Sequence, residues 1–254
     1  MGFVDIHSHI MPGVDDGART VEDSLAMIDV ARRSGTTDIV ASPHANGEYV
    51  FDGANVDRWV ADVNGQVEGL RVYPGCDFHL QVDNIEAAIA DPARFAINHR
   101  CYVLVEFPHL NIFSTADEIF RRLMDAGMYP IITHPERNPQ LQQTLDDIER
   151  WVQSGCFVQV TAGSYLGVFG KKPRACAREL LERGLTHFVA SDAHDCEFRN
   201  PSLREAYDAL AREWGEDTIR PLFVENPRAA VNGDPIEFDV MPAGVKARKW
   251  YRFW

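Results

Sequence analysis

Asp5-Ile6-His7-Ser8-His9 follows directly on a short apolar start, and Asp15-Asp16 come a few residues later. Two histidines at i and i+2 on a strand share a face, so their imidazoles can grip one cation together. Imidazole is the commonest protein metal ligand, and a carboxylate close by suits divalent zinc, manganese or iron. The pattern recurs wherever a short apolar run ends: Pro43-His44, Gly75-Cys76-Asp77, Glu106, Thr133-His134-Pro135-Glu136-Arg137 and Ser191-Asp192-Ala193-His194. A capping histidine or a helix-starting aspartate explains one such coincidence but not six strand ends out of seven. One tetrahedral ion needs about four ligands. His7, His9, His44, His134 and His194, with three or four carboxylates, therefore predict two or three ions and a bridging carboxylate. Ions held close together share a bridging water, lower its pKa and clamp the oxygens of a phosphate, which is the chemistry of a phosphoesterase. Arg137, three residues past His134, and Arg199, five past His194, offer planar bidentate donors for that phosphate. The plain alternative is surface pairing with Glu136 or Glu197.

The elements that must position these residues follow a regular rhythm. Apolar strand-like runs at 3–7, 38–42, 71–75, 102–107, 129–133, 157–161 and 187–191 alternate with helical patterns. Residues 21–34 place Leu25, Ile28 and Ala31 on one face, with acids in the first turn and Gly35 as a stop. Patterns at 115–126, 145–153, 174–183 and 202–214 each end at or just before a glycine, the usual left-handed terminator. Seven strands alternating with helices predict a mostly parallel sheet in one α/β domain. No GxGxxG follows the first strand, which argues against a dinucleotide-binding sheet. Chemistry gathered at the carboxyl ends of the strands is the habit of barrels.

The chain has 254 residues, a length that fits one large domain or two small ones, with 45% apolar and 25% charged residues, an ordinary soluble balance. No apolar run approaches the ~20 residues that span a bilayer. The first residues lack the basic start and apolar stretch of a secretory signal. Cys76, Cys101, Cys156, Cys176 and Cys196 are odd in number and form no CxxC, so buried free thiols in a reducing cytoplasm are expected. None opens a Cys-x5-Arg phosphate loop, so no cysteine phosphoenzyme is expected. The formal net charge of −13 argues against unaided binding of a nucleic-acid backbone. Bound divalent cations would offset part of it.

Together DxHxH, PH after the second strand, VEF, THPER and SDAH resemble the polymerase and histidinol phosphatase (PHP) superfamily. From about Phe3 to about Val231 the chain is similar to the CpsB/YwqE-type bacterial tyrosine-protein phosphatases of capsule and exopolysaccharide clusters. The marks are Asp5-Ile6-His7-Ser8-His9-Ile10, Val14-Asp15-Asp16-Gly17, Thr133-His134-Pro135-Glu136-Arg137, Ser191-Asp192-Ala193-His194 and Glu225-Asn226-Pro227-Arg228. The resemblance implies a distorted (β/α)7 TIM-like barrel over residues 1–240 with three metals, most often manganese. It implies His7, His9 and Asp192 on a first ion, Glu106 and His134 on a second, Asp77 bridging the two, and Asp16, His44 and His194 on a third. It implies Arg137 and Arg199 on the phosphate. The family usually carries Glu at the bridge, in a Gly-Ala-Glu context; here Asp77 reaches about 1 Å less far. His79 would share the face of Asp77 if the strand continued, as a fallback ligand; a loop residue is the reading preferred.

A phosphotyrosine substrate on the tail of a cognate bacterial tyrosine kinase is what the resemblance implies. A small phosphomonoester such as histidinol phosphate, a PHP-type nuclease or a metal-stabilised binding module without turnover are the competing readings. Tyr49, Phe51, Phe113, Tyr165 and Phe169 either frame a substrate ring or pack the core. His99, His109 and His187 read as ordinary structural or loop residues, with the pocket mouth as an alternative place for His109. The basic, aromatic segment 241–254 is expected either to dock on the acidic barrel, to make an oligomer contact, or to touch an anionic membrane surface.

Overall fold

A computed structural model describes residues 2–108 and 112–236. His109 and the segment 241–254 lie outside the described residues. The strands are β1 (Phe3–Ser8), β2 (Thr36–Ala41), β3 (His44–Ala45), β4 (Arg71–Pro74), β5 (Asp77–His79), β6 (Tyr102–Glu106), β7 (Tyr129–Thr133), β8 (Phe157–Thr161) and β9 (Phe188–Ala190). They pair in parallel in two sheets, β1-β2-β4 and β3-β5-β6-β7-β8-β9.

The second and third strands of the sequence pattern are thus each broken into a lower and an upper piece. Pro43, between β2 and β3, has no N–H to give a ladder. Gly75, between β4 and β5, lies so close to Val40 that a Cβ would come within 2.5 Å of its Cγ1. Counted once each, seven strands succeed one another in chain order, and the last returns to the first. There Ser8 and Ala193 form an isolated parallel bridge. His9 N–H donates to Ala193 O at 2.9 Å, and Asp192 N–H to His7 O at 2.8 Å. The expected single α/β domain of seven successive parallel strands is what the chain forms, with first and last strands joined by a bridge rather than a ladder.

Helices Val21–Arg33, Ala116–Asp125, Leu145–Gln153 and Lys171–Glu182 occupy the expected crossovers, and the expected helix Arg204–Trp214 follows the last strand. The first is held by a capping box, Thr20 Oγ1 accepting from Asp23 N–H and the Asp23 carboxylate from Thr20 N–H, each at 3.1 Å. Helices Gly53–Asn64 and Val82–Ala90 were not apparent in the sequence. The former buries Val56, Val60 and Val63, β-branched residues whose preference is for strands, and packing overrides it. Among the described residues no helix is long and apolar enough to cross a membrane.

The inner faces of the strands change character along their length. Tyr102 and Leu104 precede Glu106, Phe157 precedes Gln159, and Phe188 and Ala190 precede Asp192, at alternating positions. The apolar members join Val4, Ile6, Val40 and Ile131 in one inner cluster. The polar members come last, so they collect at the carboxyl end. β1 reaches that end by an irregularity in its pairing between Asp5 and Ser8. Val4 and Ile6 point into the inner cluster, yet His7 meets Gln159 and Asp192. A bulge of this kind re-aims side chains. The conspicuous Glu225-Asn226-Pro227-Arg228 motif lies away from these ligands. Asn226 donates to His187 O at 2.9 Å and Arg228 pairs with Asp38 on β2, so this motif ties the final helix to the barrel wall.

Candidate metal centre

All nine expected ligands meet at the carboxyl end of the strands. With His79 as a tenth residue, their donor atoms fall into four groups, each within 4.8 Å: His7, His9 and Asp192; His7, Asp77 and His134; His9, Asp16, His44 and His194; and His44, Asp77, His79 and Glu106. His7 and His9 bring their Nε2 atoms to 3.2 Å and face Asp192 Oδ1 at 3.6 and 3.4 Å. Glu106 Oε1 lies 3.8 Å from His134 Nε2. Asp16 Oδ1 lies 3.4 Å from His44 Nε2 and 3.3 Å from His194 Nε2.

The histidines are pre-oriented. His7 Nδ1 is 2.9 Å from Gln159 Oε1, His9 Nδ1 is 2.8 Å from Asp15 Oδ2, and His194 Nδ1 is 3.0 Å from Asp192 O. An acceptor on Nδ1 fixes the proton there and leaves Nε2 free to ligate. Asp15 is itself locked by the N–H groups of Gly17 and His44. Gly17 passes so close to His9 that a Cβ would lie 2.0 Å from its carbonyl oxygen. His134 and Asp192 have positive φ, 33° and 50°. That region is sparsely used by residues other than glycine, and such strain concentrates at functional sites.

Electrostatics fit a cation site. Asp15, Asp16, Asp77, Glu106 and Asp192 outnumber the two guanidinium groups at this end, and both of those are drawn to Asp192. Burial disfavours charge on His9 and His44, yet the carboxylates facing them raise the two imidazoles to about 9 and about 11. Burial and the repulsion of Glu106 push Asp77 up to about 6. Burial and Arg137 push His134 down to about 3, leaving its lone pair available. His44 Nδ1, both oxygens of Asp77, His79 Nε2 and Glu106 Oε2 are buried without a hydrogen-bond partner. Orphaned buried donors and acceptors are costly, and nitrogen and oxygen lone pairs converging this way suit divalent transition ions.

Arg137 and Arg199 converge on one atom, Asp192 Oδ2, Arg199 Nη2 donating at 2.7 Å. Surface pairing with Glu136 or Glu197 is not what they make. Glu136 is buried and accepts from Thr161 N–H at 3.0 Å and Ser164 Oγ at 2.7 Å. Against burial, which favours its neutral form, Arg137, His9, His7 and Arg199 hold Asp192 well below the usual carboxylate range. The Arg137 guanidinium stacks 4.5 Å over Phe169, and Tyr49 lies parallel to His44 within 14°, centroids 5.9 Å apart. Of the five candidate ring-framing aromatics, Phe51 and Tyr165 are core residues and Phe113 packs against the core.

His79 is a correction. The preferred loop reading gives way to the structure, where His79 is the last residue of β5 and its Nε2 touches Glu106 Oε2, as the fallback reading of a continuing strand requires. The strand break at Gly75-Cys76 hid this, because β5 restarts after an apparent end. Gln159 was also missed. Its signal was a polar residue at the centre of the apolar run Phe157–Thr161. His187 is structural as expected, accepting Val158 N–H on Nδ1 at 3.0 Å.

The family described as "Capsular polysaccharide synthesis, CpsB/CapC" matches residues 3–232. The chain is 34% identical over 256 residues to tyrosine-protein phosphatase YwqE of Bacillus subtilis (strain 168), covering 99% of this chain and 100% of that protein. It is 28% identical over 239 residues to tyrosine-protein phosphatase CpsB of Streptococcus agalactiae serotype III (strain NEM316), covering 89% of this chain and 97% of that one. A crystal structure from the work on YwqE of Bacillus subtilis and CpsB of Streptococcus pneumoniae, described as unique metal-dependent tyrosine phosphatases, superposes with a TM-score of 0.87 at 33% identity, covering 93% of this chain and 97% of that one. With the match running through almost every strand and helix described above, this chain belongs to the CpsB/CapC family of capsular polysaccharide synthesis.

Proposed function

We propose that this chain is a metal-dependent phosphatase that removes phosphate from tyrosine in a protein substrate. The observation that carries the reading is the convergence of four histidine–carboxylate groups and two arginines on one end of the strands. We infer a first ion on His7, His9 and Asp192, a second on Glu106 and His134 with Asp77 bridging, and a third on Asp16, His44 and His194. Manganese is the expected metal, with iron and zinc also suited to such donors. Divalent ions, when bound, polarise phosphoryl oxygens and lower the pKa of water.

The chain's own groups do the rest. Five carboxylates against two guanidinium groups make the pocket draw cations, and three divalent ions would turn it attractive to a phosphate dianion. Arg199 Nε is buried without a partner, a donor left for a phosphate oxygen. Phe169 holds the plane of Arg137, and Tyr49 stacks beside His44. A tyrosine leaving group, with a pKa near 10, needs little proton help. Burial pushes the thiols of Cys76, Cys156 and Cys176 up, which suits inert core residues rather than nucleophiles.

The relatives named tyrosine-protein phosphatases, and the capsular description of the family, support a phosphorylated tyrosine tail of a cognate bacterial kinase, met in the cytoplasm, as the partner. The test is turnover by stripped protein refilled with manganese, iron or zinc, on a phosphotyrosine peptide, histidinol phosphate and single-stranded DNA. The expected result is metal-dependent hydrolysis with kcat/KM at least tenfold higher on the peptide. Undiminished turnover by stripped protein, or preference for histidinol phosphate, refutes the reading.

A further inference from the structure

His79 has no part in the ligand sets inferred above, yet it completes one of the four groups. Its Nε2 touches Glu106 Oε2, and His44 Nδ1 lies 3.6 Å from that same oxygen and 2.9 Å from Asp77 Oδ2. Asp77 is fully buried and Glu106 is 7% exposed. Apart from one another, these atoms, both Asp77 oxygens included, have no hydrogen-bond partner. The two carboxylates would repel one another if nothing positive stood between them.

His44 does not supply the nitrogen for such an ion if it serves Asp16 and His194. A neutral imidazole ligates through one nitrogen and carries its proton on the other. With Nε2 turned to Asp16, Nδ1 holds the proton and faces Asp77 as a donor. The remaining nitrogen in the group is that of His79.

The fold prepares His79 for this. The Asn84 side chain donates to Ala45 O at 2.7 Å and to His79 O at 3.1 Å, pinning the ends of β3 and β5 together. Glu106 is split between two directions, Oε1 toward His134 and Oε2 toward His79.

We propose that His79 is a metal ligand of this chain, giving the imidazole nitrogen to a divalent cation held with Asp77 and Glu106. The inference rests on the metal-dependent reading above and adds a donor to it. The short side chain of Asp77 gives the donor a purpose: a histidine two residues on makes up for reach that the aspartate lacks.

The test separates a ligand from a hydrogen-bonding neighbour. In His79→Gln the side-chain amide can still donate to Glu106 Oε2 but offers no imidazole nitrogen; His79→Ala removes both. Stripped full-length protein is titrated with Mn(II), and retained ion is counted by mass spectrometry after gel filtration. Co(II) is used in parallel for its visible absorption. The expected result is that His79→Gln and His79→Ala alike lose one equivalent, or bind it at least 100-fold more weakly, with an altered Co(II) spectrum. Retention by His79→Gln of the full complement, within threefold of the parent affinity and with an unchanged spectrum, overturns the proposal while leaving the metal-dependent reading standing. A parent chain that retains no ion overturns both.

Discussion

Replacing His134 by glycine and by alanine should reverse the usual order of stability of those two residues. His134 sits at φ 33°, ψ 50°, where the Cβ of an L-residue crowds the backbone at a cost of about 1–2 kcal/mol. Alanine keeps that Cβ and glycine does not. Glycine loses about 0.5–1 kcal/mol in chain entropy relative to alanine, so with both costs at matching points of their ranges the balance favours glycine by about 0.5–1 kcal/mol. At 2–4 °C per kcal/mol for a domain of this size, His134→Gly should melt about 1–4 °C above His134→Ala. Both lose the same imidazole, so a comparison in chelator isolates the backbone. Ala61, exposed in the helix Gly53–Asn64, is the control, and Ala61→Gly should lower the melting temperature. Differential scanning calorimetry or fluorimetry reads all four proteins. An alanine variant at 134 that melts level with or above the glycine variant refutes the reasoning.

Gln159→Leu leaves His7 Nδ1 without its acceptor, so ion affinity should drop about 10–100-fold with little change in melting temperature; equal affinity by titration calorimetry counts against the orienting role. His187, buried and held down to about 4, binds a proton more readily unfolded than folded. Its contribution to stability is present above about 6.5 and declines by up to about 3 kcal/mol as pH falls toward 4. Urea midpoints should show that slope in the parent chain and a shallower one in His187→Asn. Arg228→Ala leaves Asp38 with only Thr37 and Tyr73 as partners. It should cost about 1–3 kcal/mol in thermal denaturation while phosphatase activity is retained.

The chemistry of this chain was legible because it sits where apolar runs stop. His7, His44, Glu106, His134 and Asp192 lie at or near the carboxyl ends of the seven successive strands, and the parallel order brings all of those ends to one place. What was not legible depends on breaks in the pattern. The bulge in β1 changes which parity faces inward, and two histidines spaced by two do not reveal it. The restart of the strand after Gly75 turns His79 from a loop residue into a neighbour of Glu106. Val56, Val60 and Val63 have helical spacing, but their β-branched side chains favour strands, and the helix shows only once it is packed. Arg137 and Arg199 were placed by type and spacing, but their meeting on a single oxygen of Asp192 is a matter of tertiary geometry.

That shared oxygen ties two equilibria together. A phosphate that draws the guanidinium groups of Arg137 and Arg199 off Asp192 Oδ2 returns electron density to the carboxylate whose other oxygen faces His7 and His9. The carboxylate then becomes a better base toward a cation. By thermodynamic reciprocity the ion must strengthen the hold on phosphate by the same factor. At equilibrium, inorganic phosphate should therefore raise the chelator concentration needed to strip the metal, making product affinity and metal affinity one property of the same side chain.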